Sequence, residues 1–242
     1  MNEFETVRSA VELVERKGDR LGAIAILTPL AEAGHADAQF HLGRMYVGLH
    51  INAMYCGPEP PHTATEADRW LRAAMEQGHP FAAYERAEFH QQVQQHKLGA
   101  KYDEPDNPDK DAVQNEFRDA VRRLEKAVVP GDAHTPYLLG QAYLFGNGFP
   151  PSPEEAMYWF HVAYLEGAYV AADVLCGHFG EKCRAGLERG DVSDCLKAIY
   201  WLRKAREKRS QCTGNPVWES LMVAHGLLKP EETSNVWSRR EK

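Results

Sequence analysis

The sequence predicts an all-α protein built from stacked helical hairpins, and the main evidence is a phrase that recurs with its turn glycine. EADRWLRAAMEQG ends at Gly78 and EAMYWFHVAYLEG ends at Gly167, while weaker copies end at Gly34 and Gly131. In all four copies a leading alanine precedes the glycine by the same interval. A fixed internal period is typical of stacked repeats rather than of a globule around one pocket, and it favours binding over catalysis.

Composition narrows the possible partners. The 242 residues carry a formal net charge of −7, which disfavours nucleic acid or an anionic membrane as the main partner. No apolar run approaches the roughly 18 residues of a membrane-spanning helix, and the N-terminal stretch has no signal-peptide core. We therefore expect a cytoplasmic protein, or a periplasmic one if the chain is a trimmed mature form.

The first 34 residues are predicted to form an atypical N-terminal capping hairpin. Residues 3–17 read as an amphipathic helix that pairs with a second helix over residues 21–33. Its apolar side carries Phe4, Val7, Ala10, Val11 and Val14.

After each glycine an apolar helix face is expected, in which a leucine, a small residue and an aromatic residue succeed one another. The leucine position holds Leu42, Leu139 and Leu175, with Arg86 breaking the pattern; the small position holds Gly43, Ala87, Gly140 and Cys176; the aromatic position holds Tyr46, His90, Tyr143 and Phe179. The small residue is predicted to let the neighbouring helix approach closely.

The recurring phrase itself is predicted to form the second helix of each hairpin. Its buried face carries Ala67, Trp70, Leu71 and Ala74 in one copy, Ala156, Trp159, Phe160 and Ala163 in another, and Ala198, Trp201, Leu202 and Ala205 in a third. The glycine that follows suits the left-handed residue that ends a helix.

The stretch LGQAYLFGNGFPPSPEEAMYWFHVAYLEG resembles the SEL-one-like repeat (suppressor/enhancer-of-lin type), a relative of the tetratricopeptide repeat. The resemblance extends in degenerate copies over about residues 20–207. It implies a right-handed α/α superhelical solenoid of about five helix hairpins, which usually binds other proteins. We expect a single repeat domain, with the repeats over residues 35–207.

Three insertions are predicted between the two helices of a hairpin, at about residues 49–64, 91–113 and 180–193. All three would decorate one edge of the solenoid, where they either form a binding face or reflect drift at a tolerant edge. The stretches LHINAMYCGPEPPHTAT and QQHKLGAKYDEPDNPDKD at this edge are rich in Pro, Gly, Asn and Asp, which predicts loops. Residues 208–242 are expected to hold a capping helix and tail. The alternative leaves Trp218 and Met222 exposed as a docking patch.

No signature of catalysis is found, since GxSxG, HExxH and Gly-rich phosphate loops are absent. His90 and His96 lie on different faces of their helix and are expected at the surface, so no metal site or cofactor is predicted. The five cysteines, at 56, 176, 183, 195 and 212, are scattered and odd in number, so free thiols are expected. Some cysteine-rich members of the family bind β-lactams, but they carry a regular cysteine pair in each repeat.

The candidate partner-binding residues come from two further repeat positions. Six residues after each glycine stand Phe40, Tyr84, Tyr137 and Asp173, and ten residues after it stand Arg44, Glu88, Gln141 and Gly177. By resemblance to tetratricopeptide hairpins, this face would line a concave groove that captures a peptide through its aromatic row. Alternatively, the aromatic side chains pack between hairpins.

The sequence thus predicts a non-catalytic module that binds a partner protein or peptide, such as an adaptor, a regulator or an immunity protein that neutralises a toxin. Two alternatives are a β-lactam-binding or β-lactam-hydrolysing enzyme and a self-assembling structural subunit.

Overall fold

A computed structural model describes residues 3–56, 62–104, 107–207 and 216–229, and within these ranges the regular structure is entirely helical. The predicted all-α fold class is confirmed. Gly34, Gly78, Gly131 and Gly167 have φ values of 91°, 81°, 85° and 112°. All four repeat glycines therefore adopt a positive φ that glycine tolerates. Gly34, Gly78 and Gly167 each stand two residues after the end of a helix, whereas Gly131 stands four residues after the helix that ends at Ala127.

The chain divides into two compact units, with residues 1–127 and 147–149 in unit 1 and residues 128–146 and 150–242 in unit 2. Unit 1 contains three helical hairpins, formed by α1 (Glu3–Lys17) with α2 (Arg20–Glu32), α3 (Ala36–Cys56) with α4 (Thr63–Glu76), and α5 (Ala82–Leu98) with α6 (Pro108–Ala127). A short 3₁₀ helix, Gly99–Asp103, follows α5.

Unit 2 contains two hairpins and a further helix. The hairpins are α7 (His134–Phe145) with α8 (Pro153–Leu165) and α9 (Ala171–Glu188) with α10 (Ser193–Glu207), and α11 spans Pro216–Ala224. Met222 and Leu228 are buried in the same core as α9 and α10. Met222 is therefore not exposed in the way that the docking-patch alternative requires, whereas the side chain of Trp218 lies outside the described residues.

The repeat leucines and small residues form the core as the sequence predicts. Leu42, Leu139 and Leu175 are at most 1% exposed. A Cβ built on Gly43 would lie 2.7 Å from Leu71, and one on Gly140 would lie 2.8 Å from the ring of Phe160. The missing side chain therefore lets the two helices of a hairpin touch.

The inserted segments are largely helical, which corrects the expectation of loops at these positions. Helix α3 continues to Cys56, α5 to Leu98 and α9 to Glu188. Most of the added length extends existing helices by one or more turns, because these stretches contain few residues that stop a helix. Proline and glycine are concentrated just beyond them.

The cysteines of unit 2 are not all free. Cys183 near the end of α9 and Cys195 near the start of α10 form a disulfide, while Cys176 is a buried thiol that does not take part in it. The expectation of free thiols is therefore wrong for this pair, because the antiparallel hairpin brings together two residues that are distant along the chain. Cys56 and Cys212 have side chains outside the described residues.

Across the described ranges, no helix combines the length and apolar character needed to cross a membrane.

Candidate functional site

The aromatic residues predicted for the binding face of unit 1 are buried. Phe40 is 5% exposed and its ring stacks on His79 with centroids 4.1 Å apart. Tyr84 is 1% exposed, and its hydroxyl accepts a hydrogen bond of 2.9 Å from the side-chain amide of Asn147. The predicted exposure of these two rings is wrong, because they fill the space between neighbouring helices.

Of the polar residues predicted beside them, Arg44 reaches the surface of unit 1 and Glu88 is half-buried. Arg44 is 48% exposed and lies 3.5 Å from Glu85. Burial, followed by the charge of Glu85, raises the pKa of Glu88 to about 7. Arg44 and Glu88 therefore belong to one small charged group on the faces of α3 and α5.

In unit 2, Tyr137 and Asp173 lie near each other on α7 and α9. Tyr137 is half-buried, and its ring meets that of Phe160 edge-on, with centroids 5.4 Å apart. Burial, and then the charge of Asp173, raises the pKa of the tyrosine hydroxyl. Gln141, one turn further along α7, is also half-buried. These three residues offer a mixed aromatic and polar surface in this unit.

A more exposed surface lies on the second helices of unit 2, and the sequence analysis did not identify it. We call it the unit 2 apolar row; its members are Tyr158, Leu165, Leu196 and Tyr200, which are 59%, 70%, 55% and 52% exposed. The two helices are neighbours, because Trp201 of α10 meets His161 and Tyr164 of α8 edge-on, with centroids 5.3 and 5.1 Å apart.

A repeat signal for this row was available in the sequence. Tyr158 and Tyr200 both stand two residues after the leading alanine of their phrase, whereas Arg69 and Arg122 occupy that position in unit 1. The arginine side chains are each 59% exposed, so the position faces solvent in both units. Apolar periodicity reports the buried positions of the phrase, so it does not reveal a binding residue at this solvent-facing position.

Unit 1 contains an ionic cluster where its repeats would place apolar contacts. Arg86 lies 2.6 Å from Asp68 and 3.6 Å from Glu116. The two ring nitrogens of His90 lie 3.1 Å from Asp68 and 2.8 Å from Glu116. These hydrogen bonds raise the pKa of His90 to about 9, and the bond from His90 holds the pKa of Asp68 well below its usual range.

Three members of this ionic cluster depart from the repeat pattern. Arg86 replaces the leucine, His90 replaces the aromatic residue, and Asp68 stands where the other phrases have Val121, Met157 and Ile199. His90 is thus not the surface histidine that the sequence analysis predicted. The departures complement one another, since each introduced charge meets an opposite charge from a neighbouring helix.

No group of three or more His, Cys, Asp or Glu side chains in the described ranges is arranged to hold a metal ion.

Comparison with known families and structures agrees with the hairpin architecture. The family model for the Sel1 repeat matches residues 36–49, 137–174 and 176–210. A crystal structure of a Sel1 repeat protein from Oxalobacter formigenes is 21% identical, with a TM-score of 0.53, and the match covers 100% of this chain and 89% of that one. This likeness supports the fold alone.

A second solved structure is a protective antigen of uropathogenic Escherichia coli that displays an SLR fold. It is 20% identical, with a TM-score of 0.41, and the match covers 96% of this chain and 50% of that one. The comparison with curated proteins gives no significant match.

Proposed function

We propose that this chain, whose residues 36–49, 137–174 and 176–210 match the Sel1 repeat, acts by binding a partner protein and is not itself a catalyst. Sel1 repeat proteins generally mediate contacts between proteins. The observation that carries the proposal is the unit 2 apolar row, which exposes four large apolar side chains on two adjacent helices. Contiguous exposed apolar patches mark interaction surfaces, and these four side chains are the candidate members of one.

The composition of the row favours a partner that binds and releases. Tyr158 and Tyr200 contribute large contact areas with few rotatable bonds, and their hydroxyls remain hydrated when the surface is free. At the same repeat position the three phrases of unit 1 carry Ala25, Arg69 and Arg122, so the tyrosines are not required for the hairpin to form. The exposed side chains of the row are not needed for folding, and they lower the solubility of the protein. Binding of a partner is the best explanation for their presence.

The more specific role of the protein depends on which partner it binds. An adaptor, a regulator and a toxin-neutralising immunity protein would all use such a surface, and the net charge of −7 favours a basic partner. The predicted first-helix face gives each unit a second candidate surface of its own. In unit 1 it consists of Arg44 and Glu88, with Phe40 and Tyr84 buried, and in unit 2 it consists of Tyr137, Gln141 and Asp173.

The test is capture of proteins from the native cell by the full chain and by matched variants, followed by mass spectrometry. Tyr158→Arg/Tyr200→Arg places at both sites the residue that two phrases of unit 1 carry, so the fold should persist. We expect this variant to lose a partner that the wild type retains, with binding at least tenfold weaker in a purified assay. The control Phe145→Arg changes a side chain of the same unit that is 66% exposed but lies outside the row, and it should keep the partner.

Other outcomes would locate the site elsewhere. A partner lost only by Gln141→Arg would place binding on the first-helix face and remove the apolar row from the proposal. Concentration-dependent oligomers that Tyr158→Arg/Tyr200→Arg abolishes would identify a second copy of the chain as the partner and support the structural-subunit alternative.

The disulfide gives the enzymatic alternative one supporting observation, since cysteine-rich members of the family pair their cysteines within repeats. The pairing is not regular, however, because the sequence of the α7–α8 hairpin contains no cysteine. Covalent or saturable reaction of the full chain with a fluorescent β-lactam would favour the enzyme over the binding module.

A further inference from the structure

Unit 1 has a cleft beside its first two insertions. The proposed binding surfaces do not include this cleft. It has a volume of about 420 Å³ and is lined by the start of α4, the second half of α5 and the first half of α6. This is at the small end of the roughly 300–1,000 Å³ typical of ligand pockets. Its walls come from the helix segments next to the first two insertions, so the added chain length shapes the cleft.

One wall of the cleft is apolar. Phe89 and Val113 are 2% and 4% exposed, and Val93 lies one turn beyond Phe89 on α5. These side chains offer a surface for a short aliphatic chain. Apolar walls of this kind hold the stem of a long side chain, while its polar end reaches the rim.

The polar groups around the cleft are mainly acceptors. Asp68 and Glu116 belong to the ionic cluster and share their charges with Arg86 and His90. Asp109 also lines the cleft, and within the described chain it has no ion-pair partner. The carboxylate of Asp109 therefore adds a negative charge that the ionic cluster does not offset.

A second acceptor points to the same kind of ligand. The side-chain oxygen of Gln94 is buried and has no hydrogen-bond donor among the described residues, although Gln94 lines the cleft. A buried acceptor without a donor costs free energy, of the order of 1–3 kcal/mol, unless something supplies the missing N–H. The side-chain oxygens of Asp109 and Gln94 thus both lack a hydrogen-bond donor among the described residues, and neither residue takes part in the ionic cluster.

We infer that this cleft, between α4, α5 and α6 of unit 1, binds an arginine side chain of a partner polypeptide. The guanidinium group has five N–H donors in a fixed plane, so it can serve more than one acceptor, and Asp109 and Gln94 are two lining residues whose side-chain acceptors lack a donor in the described chain. Its three methylene groups match the wall formed by Phe89, Val93 and Val113. That the side chain belongs to a protein rests on the proposed function, but the chemistry of the cleft does not.

The test uses small probes and the full chain, so it does not depend on finding a partner. Backbone amide shifts are followed by NMR during titration with N-acetyl-arginine methylamide, its citrulline analogue and its lysine analogue. We expect saturable shifts at residues 89–94 and 109–116 with the arginine probe. The neutral citrulline probe, which has nearly the same shape, should bind at least tenfold more weakly, and the lysine probe should be intermediate.

Two variants probe the acceptors, and one is a matched control. Asp109→Asn and Gln94→Leu should each weaken binding of the arginine probe by about fivefold or more. Asp111→Asn changes an exposed carboxylate in the same first turn of α6, outside the cleft lining, and should leave the affinity unchanged.

Equal binding of the arginine and citrulline probes would overturn the inference, as would shifts spread over the acidic surface and insensitive to Asp109→Asn. Tighter binding of the lysine probe would overturn the assignment to arginine. Failure to capture any partner in the experiment on the unit 2 apolar row would reject the proposed function and leave the probe result standing.

Discussion

At the scale of single residues, the ionic cluster shows how a repeat position can change its chemistry without losing its place in the fold. His90 donates toward Asp68, which lies 22 residues earlier, and toward Glu116, which lies 26 residues later. An imidazole ring with a carboxylate at each nitrogen is stabilised in its charged form. The fold therefore uses a charged histidine where its other repeats use an aromatic ring.

The raised pKa of His90 predicts how stability depends on pH. A group whose pKa rises on folding, here from 6.5 to about 9, contributes stability that is complete below pH 6.5 and is lost as the pH rises through 9. After allowance for its partial exposure, the contribution is on the order of 2 kcal/mol. Urea unfolding at pH 6 and pH 9.5 should show this loss in the wild type.

The variant His90→Tyr supplies the control, because it installs the residue found at this position in two other repeats. Its free energy of unfolding should vary less between pH 6 and pH 9.5 than that of the wild type. Parallel pH profiles for the two proteins would show that the cluster does not depend on the charge of His90.

The sequence predicted which repeat residues lie in the core, but it did not predict which neighbours individual side chains contact. The repeat spacing placed Leu42, Leu139 and Leu175 correctly, because apolar periodicity directly reports which helix face is buried. It did not separate the buried Phe40 and Tyr84 from a solvent-facing row. Their burial depends on His79 and Asn147, which come from other elements and are not visible in the spacing.

At the scale of helices, close approach within a hairpin depends on the small residue that follows the repeat leucine. Gly140 has no room for a side chain, because a Cβ there would meet three ring atoms of Phe160 within 2.9 Å. Gly177 lies on the first helix of the next hairpin, where a Cβ would meet nothing within 4 Å. The two glycines share a unit and a helical context but differ in packing.

Substitution by alanine should therefore act in opposite directions at these two glycines. Gly140→Ala should lower the free energy of unfolding by about 1 kcal/mol, since overpacking of roughly 1–3 kcal/mol exceeds the gain in helix propensity. Gly177→Ala should raise it by about 0.5–1 kcal/mol, because only the propensity changes. Chemical denaturation of both variants tests the pair, and equal shifts of the same sign would contradict this account of the packing.

Helix boundaries were the least predictable part of the elements. The repeat alignment placed the extra residues within hairpins, but it could not show that they would prolong α3, α5 and α9 as helix. A helix continues as long as its backbone hydrogen bonds continue and no residue interrupts them, so length differences between repeats do not by themselves predict loops.

At the scale of the whole molecule, the disulfide is the covalent constraint that the structure describes. Cys183 and Cys195 are 12 residues apart and join the two helices of the α9–α10 hairpin. Disulfides persist mainly in oxidising compartments. Sequence alone could not pair the cysteines, because their proximity depends on where α9 ends.

Removal of the disulfide should destabilise unit 2. A loop of this size predicts a loss of about 3 kcal/mol when both cysteines are replaced by serine. Denaturant midpoints of the wild type with and without reductant, compared with Cys183→Ser/Cys195→Ser, provide the measurement. If the reductant shifts the double variant as much as the wild type, the stabilisation has another source.

The ionic cluster also affects how a repetitive chain reaches its native arrangement. Similar hairpins can in principle stack in the wrong order, because each apolar face resembles the next. Asp68, Arg86 and His90 would be desolvated without partners against any neighbour other than those they have. The cost of leaving such charges unpaired makes those mispaired stacks unfavourable. The three departures from the repeat pattern thus make the packing of α4, α5 and α6 against one another specific, within a chain of otherwise similar hairpins.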